Sequence, residues 1–142
     1  MRSRVESVYS AMKKAAAARN ATAFRRTLSS QACEELDENL ARMGEELTPE
    51  LIAAYGAELP DLADLEFVDA RSASAAAAGL YRGPGEDDGS GEERVRFVWI
   101  KVVEEKSIWK YDGLGEVDDL AVQPDGSPTT FNTADLPPEL QL

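Results

Sequence analysis

The chain has 142 residues, of which 43% are hydrophobic and 30% are charged, and this composition is that of one globular domain rather than a disordered or fibrous protein. A formal net charge of −12 repels the phosphate backbone, so we expect no nucleic-acid partner. The sequence contains no histidine, which excludes the Ser-His, Cys-His and His-metal mechanisms.

The single cysteine and the short apolar runs exclude further kinds of site and segment. Cys33 has no partner for an intramolecular disulfide and too few companions for a cysteine-based zinc site, and the sequence has neither a phosphate-binding loop nor a dinucleotide fingerprint. We therefore expect neither a metal nor a cofactor. The alanine-rich runs 15–18 and 75–78 fall far below the roughly 20 residues of a membrane helix, so no transmembrane segment is expected. The first residues lack the apolar core of a signal peptide, which leaves either a cytoplasmic location or export with the leader removed.

The N-terminal residues predict two consecutive helices. Apolar side chains recur at spacings of three and four from Val5 to Ala16, which places them on one stripe of an amphipathic helix. Asn20 is predicted to cap a short second helix, because its side chain can bond the free amides of a new first turn. Phe24 and Leu28 are expected to anchor that second helix.

A third and a fourth helix follow. Ser29 and Ser30 cap the third, whose apolar stripe has spacings of three and four and consists of Cys33, Leu36, Leu40, Met43 and Leu47. We interpret the stripe as a face packed on the same domain, because two heptads are too short for a stable coiled coil. Thr48 and Pro49 begin the fourth helix, and Gly56 is predicted to end it.

Charge is distributed unevenly along these helices. Residues 1–29 sum to +6 and residues 30–66 to −10, which predicts neighbouring helices whose exposed edges attract each other. The alternative is a basic patch that meets an acidic partner or an anionic membrane surface. That patch would consist of Arg2, Arg4, Lys13, Lys14, Arg19, Arg25 and Arg26.

The pattern changes after Ala63 to the alternation that is typical of strands. A first strand begins at Leu65, and the alanine-rich stretch 71–83, which also suits a helix, is interpreted as leading into a second strand. The turn residues of 83–93 predict a hairpin loop. The carboxylates of this loop lack the alternating order of a calcium site, so we interpret it as a solvated loop.

The strongest strand prediction covers 95–103, where apolar side chains on both faces indicate a strand that is covered on both sides. A short turn at 104–106 leads to its antiparallel partner at 108–111. Residues 117–122 are expected to add an edge strand.

The predicted hairpin resembles part of a known family. The run Arg96–Lys101, the charged turn and the run Ser107–Tyr111 resemble the closing hairpin of the nuclear transport factor 2-like, or cystatin-like, superfamily, here an uncharacterised bacterial branch. The chain departs from the family pattern at Asn20, where an aspartate is usual, and before Ser107, where the turn usually contains a glycine.

The resemblance implies an α+β fold in which N-terminal helices pack on a curved antiparallel sheet to form a cone. We expect this single domain to span 1–123. The C-terminal tail, 124–142, is expected to be partly ordered or to drape over the domain.

The resemblance also implies a choice of functions, because the family contains both enzymes and binding modules. We predict a non-catalytic binding module that uses the sheet face or the cone mouth to hold a protein partner or a small apolar ligand, with a homodimer through the sheet. The candidate ligand-binding residues are Tyr9, Tyr55, Phe97, Trp99 and Trp109. For the two tryptophans, core or cross-strand packing is the competing interpretation.

An isomerase or dehydratase of the same family is the alternative function. With no histidine present, Asp69 would act as the base in a dry pocket, and Tyr9, Tyr55 or Tyr81 would donate a hydrogen bond. The structural interpretation of the same residues is that Tyr9 belongs to the core and that Asp69 lies on a solvated strand face.

Overall fold

Helices precede strands in the computed structural model, which describes residues 2–73, 75–84 and 94–121. The helices are α1 (Arg2–Ala17), α2 (Ala21–Thr27), α3 (Ser30–Met43) and α4 (Pro49–Glu58), followed by a 3-10 turn at Leu62–Asp64. The strands are β1 (Glu66–Ala73), β2 (Ala76–Pro84), β3 (Arg94–Glu105) and β4 (Ile108–Ala121). They form one antiparallel sheet in the order β1-β2-β3-β4, which is curved and not closed. The predicted α+β class is confirmed.

The helix starts follow the predicted capping residues. Asn20, Ser29 and Thr48 precede α2, α3 and α4, and each side chain accepts a hydrogen bond from the backbone amide three residues further along. These bonds satisfy amides that have no partner inside the helix. Local sequence therefore determines where these three helices begin.

The predicted end of the fourth helix at Gly56 is wrong, because α4 continues to Glu58. Gly56 instead faces α1, and a Cβ atom built on it would lie 2.6 Å from the Cβ of Ala16. The missing side chain lets the two helices approach closely. Gly56 is therefore a packing residue, not a terminator.

One strand prediction is confirmed and one needs correction. The alanine-rich stretch forms strands as predicted, because β1 runs to Ala73 and β2 begins at Ala76, with Ala75 in the turn between them. The expected edge strand at 117–122 does not exist as a separate element, since residues 117–121 continue β4 and Val117 pairs with Phe97. A β-bulge that makes Asp112 an extra residue opposite Lys101 and Val102 keeps this long strand paired.

The hydrophobic core lies between the helices and one face of the sheet. Its largest fully buried side chains come from α1, α2, α4, β2, β3 and β4, and include Tyr9, Met12, Phe24, Ile52, Tyr81, Ile100 and Tyr111. Burial of each such side chain contributes roughly 1.5–3 kcal/mol to folding.

The central strand β3 is buried on both faces, as its sequence predicts. Val98, Ile100 and Val102 point into the helix-side core, where all three are fully buried. Phe97 and Lys101 alternate with them on the opposite face and are only 3% and 9% exposed.

Two further predictions concern charge and membrane insertion. Arg25 on α2 lies 2.8 Å from Asp37 on α3, so the expected attraction between basic and acidic helices is present. Within the described ranges, none of the helices combines the length and the apolar character needed to cross a bilayer. Most of the predicted loop 83–93 and the whole tail 124–142 lie outside the described residues.

Candidate functional site

A cavity of about 220 Å³ opens between α3, the end of α4 and the middle of β4. Apolar side chains form much of its lining, together with a few polar ones. The lining residues are Leu28, Ala32, Glu35, Leu36, Asn39, Tyr55, Leu59, Tyr111, Asp112, Gly113 and Leu114. An apolar pocket with a few polar groups is the usual form of a small-molecule site.

The N-terminus of α3 is fixed to β4 and thereby sets one wall of the cavity. Leu28 forms a parallel bridge with Tyr111, and the Ser29 amide donates to the Tyr111 carbonyl over 2.8 Å. The Ser29 hydroxyl donates to Asp112 Oδ1 over 2.5 Å. Asp112 Oδ2 in turn lies 3.2 Å from Lys101 Nζ, and both side chains of this ion pair are about nine-tenths buried.

Two tyrosines, Tyr55 and Tyr111, line the cavity. Burial raises the pKa of both hydroxyls above their ordinary value, and the two groups interact with each other. Both groups therefore stay neutral at physiological pH.

The rim of the cavity is acidic and is carried by α3. Glu35 and Asn39 lie one turn apart on this helix, both are exposed, and Leu36 lies between them with a half-buried side chain. The Glu35 carboxylate accepts a hydrogen bond from Gln31 over 3.4 Å. The rim therefore offers the Glu35 carboxylate above an apolar wall, whereas Asn39 Oδ1 accepts a hydrogen bond from Arg42 over 3.1 Å.

The structure separates the predicted ligand-binding residues. Tyr55 lines the cavity, whereas Tyr9 is fully buried outside its lining, with its ring centroid 6.0 Å from that of Tyr111. The Tyr9 hydroxyl donates to the Pro60 carbonyl over 2.5 Å. Trp109 packs against the helix-side core under the guanidinium of Arg4, which lies 4.7 Å from the ring centroid.

The two tryptophans lie on opposite faces of the sheet, so they do not form a stacking pair. Trp99 belongs to the row of Phe97 and Lys101, away from the helices. Its indole covers the backbone of Gly115 on β4, where a Cβ atom would lie 2.1 Å from the ring. Trp99 and Phe97 are therefore remote from the cavity.

Of the tyrosines of the enzymatic alternative, Tyr55 lines the cavity, whereas Tyr9 and Tyr81 are not among its described lining residues. Asp69 lies on β1 and pairs with Leu80, and its side chain falls outside what the structure describes. Tyr81 is buried against Phe67, with 5.7 Å between ring centroids.

A second, wider cavity of about 400 Å³ lies beside α1. Tyr9, Lys13 and Asp61 line it, and these side chains are already engaged. Lys13 donates to the Leu59 carbonyl over 2.9 Å and pairs with Asp61, so the cavity is spanned by an internal ion pair. It is a poorer candidate for ligand binding than the first.

Several residues of the predicted basic patch are used inside the fold. Besides Arg4, Lys13 and Arg25, Arg2 pairs with Glu6 over 3.1 Å and lies 4.5 Å from the ring centroid of Phe67. These contacts orient basic side chains toward the domain itself.

Four residues of the lining were not expected from the sequence to be site residues: Glu35, Asn39, Tyr111 and Asp112. Tyr111 follows Trp109 in the alternation of β4, so it was detectable as an inward-facing residue. Asp112 depends on the bulge, and the two α3 residues resemble an ordinary solvated helix face. No residue pattern marked these three as members of a site.

Comparisons of the chain with protein-family models, with curated proteins and with solved structures find no match. Within the described residues, no group of three or more cysteine, aspartate and glutamate side chains is arranged to hold a metal ion. The site is therefore interpreted from its own geometry.

Proposed function

We propose that the chain is a non-catalytic binding module of the nuclear transport factor 2-like kind, which holds a small and largely apolar ligand. The cavity between α3, α4 and β4 carries this proposal, because it combines leucine and tyrosine walls with a few polar oxygens. We take this cavity to be the mouth of the cone that the resemblance implies.

The anchoring of α3 supports a binding role. The Leu28 bridge, the Ser29 cap and the Asp112–Lys101 pair fix one side of the cavity before any ligand arrives. A wall that is already ordered reduces the conformational entropy lost on binding. Leu36 and Leu59 then supply apolar contact on two different elements.

The lining favours binding over proton transfer. An isomerase or dehydratase of the expected kind needs a carboxylate in a dry pocket beside a hydroxyl donor. Asp112 already accepts from Ser29 and faces Lys101, and Glu35 is exposed at the rim. Tyr111, the more buried of the two tyrosines in the lining, interacts with Tyr55.

A cavity-filling substitution tests the proposal. Ala32 lines the cavity and is half-buried, so Ala32→Leu would occupy ligand volume, whereas Ala41→Leu on the exposed face of the same helix would not. Amide NMR shifts are recorded during a titration with hexan-1-ol, a neutral apolar probe. We expect shifts at residues 28–39, 55–59 and 111–114 in the wild type and in Ala41→Leu, and their loss in Ala32→Leu.

Two results would contradict this function. One is a titration in which hexan-1-ol moves no amide of these segments in the wild type. The other is unchanged binding in Ala32→Leu, provided that circular dichroism shows the variant to be folded.

A further inference from the structure

We infer that the ligand of this cavity is a small organic cation, a primary amine on an apolar body, bound by its ammonium group at the α3 rim. The inference rests on the proposed function and adds the charge of the ligand.

The charged side chains among the described lining residues are all acidic. Among the described residues that line the cavity, Glu35 and Asp112 carry carboxylates and none carries a basic side chain. Lys101 neutralises Asp112 from outside the lining at 3.2 Å, whereas Glu35 accepts a hydrogen bond from the uncharged amide of Gln31. Glu35 is therefore the carboxylate that can pair with a ligand.

The surface around the cavity is also negatively charged. Further acidic side chains lie on α3, and the whole chain has a net charge of −12. A cleft bordered by charge of one sign raises the local concentration of oppositely charged molecules and repels molecules of the same charge. An anionic ligand is therefore disfavoured at this rim.

An aromatic ring completes the cation site. Tyr55 is 36% exposed at the cavity, and its ring is supported by an edge contact with Phe24, with 5.5 Å between centroids. Cations bind over the faces of such rings. An ammonium group carries three donors, and the Glu35 carboxylate and the Tyr55 ring can take two of them. Asn39 Oδ1 already accepts a hydrogen bond from Arg42 over 3.1 Å. The alkyl body then lies against Leu36 and Leu59.

Three probes of equal chain length separate charge from apolar binding: hexylammonium, hexan-1-ol and hexanoate. Each is titrated by NMR into the wild type, into Glu35→Gln and into the control Glu34→Gln, whose exposed side chain is not part of the lining. We expect hexylammonium to bind about five-fold more tightly than hexan-1-ol and hexanoate to bind most weakly. The preference should disappear in Glu35→Gln, persist in Glu34→Gln and shrink at high salt.

The outcomes distinguish the two proposals. If hexan-1-ol binds as tightly as hexylammonium, or if Glu35→Gln keeps the preference, the cation inference is overturned while the binding cavity stands. If none of the three probes moves the cavity amides of the wild type, both proposals fail. Tighter binding of hexanoate than of hexylammonium would also overturn the cation inference.

Discussion

Ser29 and Asp112 form a 2.5 Å hydrogen bond although 83 positions separate them in the chain. The Ser29 oxygen also accepts from the Ala32 amide, so one hydroxyl caps α3 and binds the β4 bulge at the same time. Asp112 connects this junction to Lys101 on the neighbouring strand. Helix start, bulge and central strand are therefore coupled through one buried polar network.

Asp112→Asn should destabilise the protein strongly, because it removes the carboxylate charge that faces the buried Lys101 ammonium at 3.2 Å. We expect the free energy of unfolding to fall by about 3 kcal/mol, measured by urea denaturation. The double variant Lys101→Met with Asp112→Asn should recover part of this loss. As a control, Asp37→Asn at the exposed pair with Arg25 should have a much smaller effect. Equal losses at the two pairs would contradict the prediction.

Gly115→Ala should displace the Trp99 indole, since the added Cβ would lie 2.1 Å from the ring. We expect a red-shifted tryptophan emission and a stability loss of about 1–3 kcal/mol. The measurement is made in a Trp109→Phe background, so that the emission comes from Trp99 alone. Gly113→Ala is the matched control, because its Cβ would have no neighbour within 4 Å. Identical spectra for the two variants would argue against the contact.

Gly56→Ala should destabilise the chain although alanine favours helices by about 1 kcal/mol over glycine. The new Cβ would lie 2.6 Å from that of Ala16, and repacking costs about 1–3 kcal/mol. The combination Ala16→Gly with Gly56→Ala should restore part of the stability in thermal unfolding. A simple sum of the two single effects would show that the helices do not meet at this point.

Lys13→Met should lower stability by about 1–3 kcal/mol, because it leaves the Leu59 carbonyl and the Asp61 carboxylate without their donor. Lys14→Met, at an exposed neighbouring position, should stay within about 0.5 kcal/mol of the wild type. Denaturant midpoints of both variants provide the comparison. A similar loss of stability in both variants would show that the change in net charge, rather than the loss of the Lys13 contacts, is responsible.

Alkaline pH should destabilise the fold through its buried tyrosines. The pKa of Tyr111 is raised above its ordinary value of 10.0, chiefly by burial, so the unfolded chain releases this proton first. The stabilisation is complete below about pH 10 and is lost as pH rises further, by at most about 1.4 kcal/mol per pH unit for each proton. Urea midpoints between about pH 9 and pH 11 should fall less steeply for Tyr111→Phe than for the wild type. Parallel curves would contradict the assignment.

The parts of the fold that depend on local chemistry were predictable from sequence. Asn20, Ser29 and Thr48 cap helices through bonds to amides three residues away, so neighbouring residues contain the information. Gly56 was misread because its role depends on Ala16, which approaches it only in the folded chain. The end of β4 was misread because a bulge at Asp112 maintains pairing that no local pattern reveals.

The candidate site was predictable only in part, for the same reason. Tyr55 was selected from sequence and lines the cavity, but Trp99 and Trp109 were grouped although strand parity places them on opposite faces. Their faces follow from a register that the antiparallel hairpin fixes, not from either residue alone. Glu35 gains its significance from the Tyr55 ring on another helix, and this proximity requires the tertiary fold.

The bridge between Leu28 and Tyr111 has a consequence for self-association. An exposed sheet edge offers unpaired amides and carbonyls to a strand from another molecule and so promotes aggregation. At Tyr111 the outward carbonyl is already occupied by the Ser29 amide. The start of α3 thus shields this stretch of the outer strand, and a neighbouring molecule could extend the sheet here only after displacing that helix.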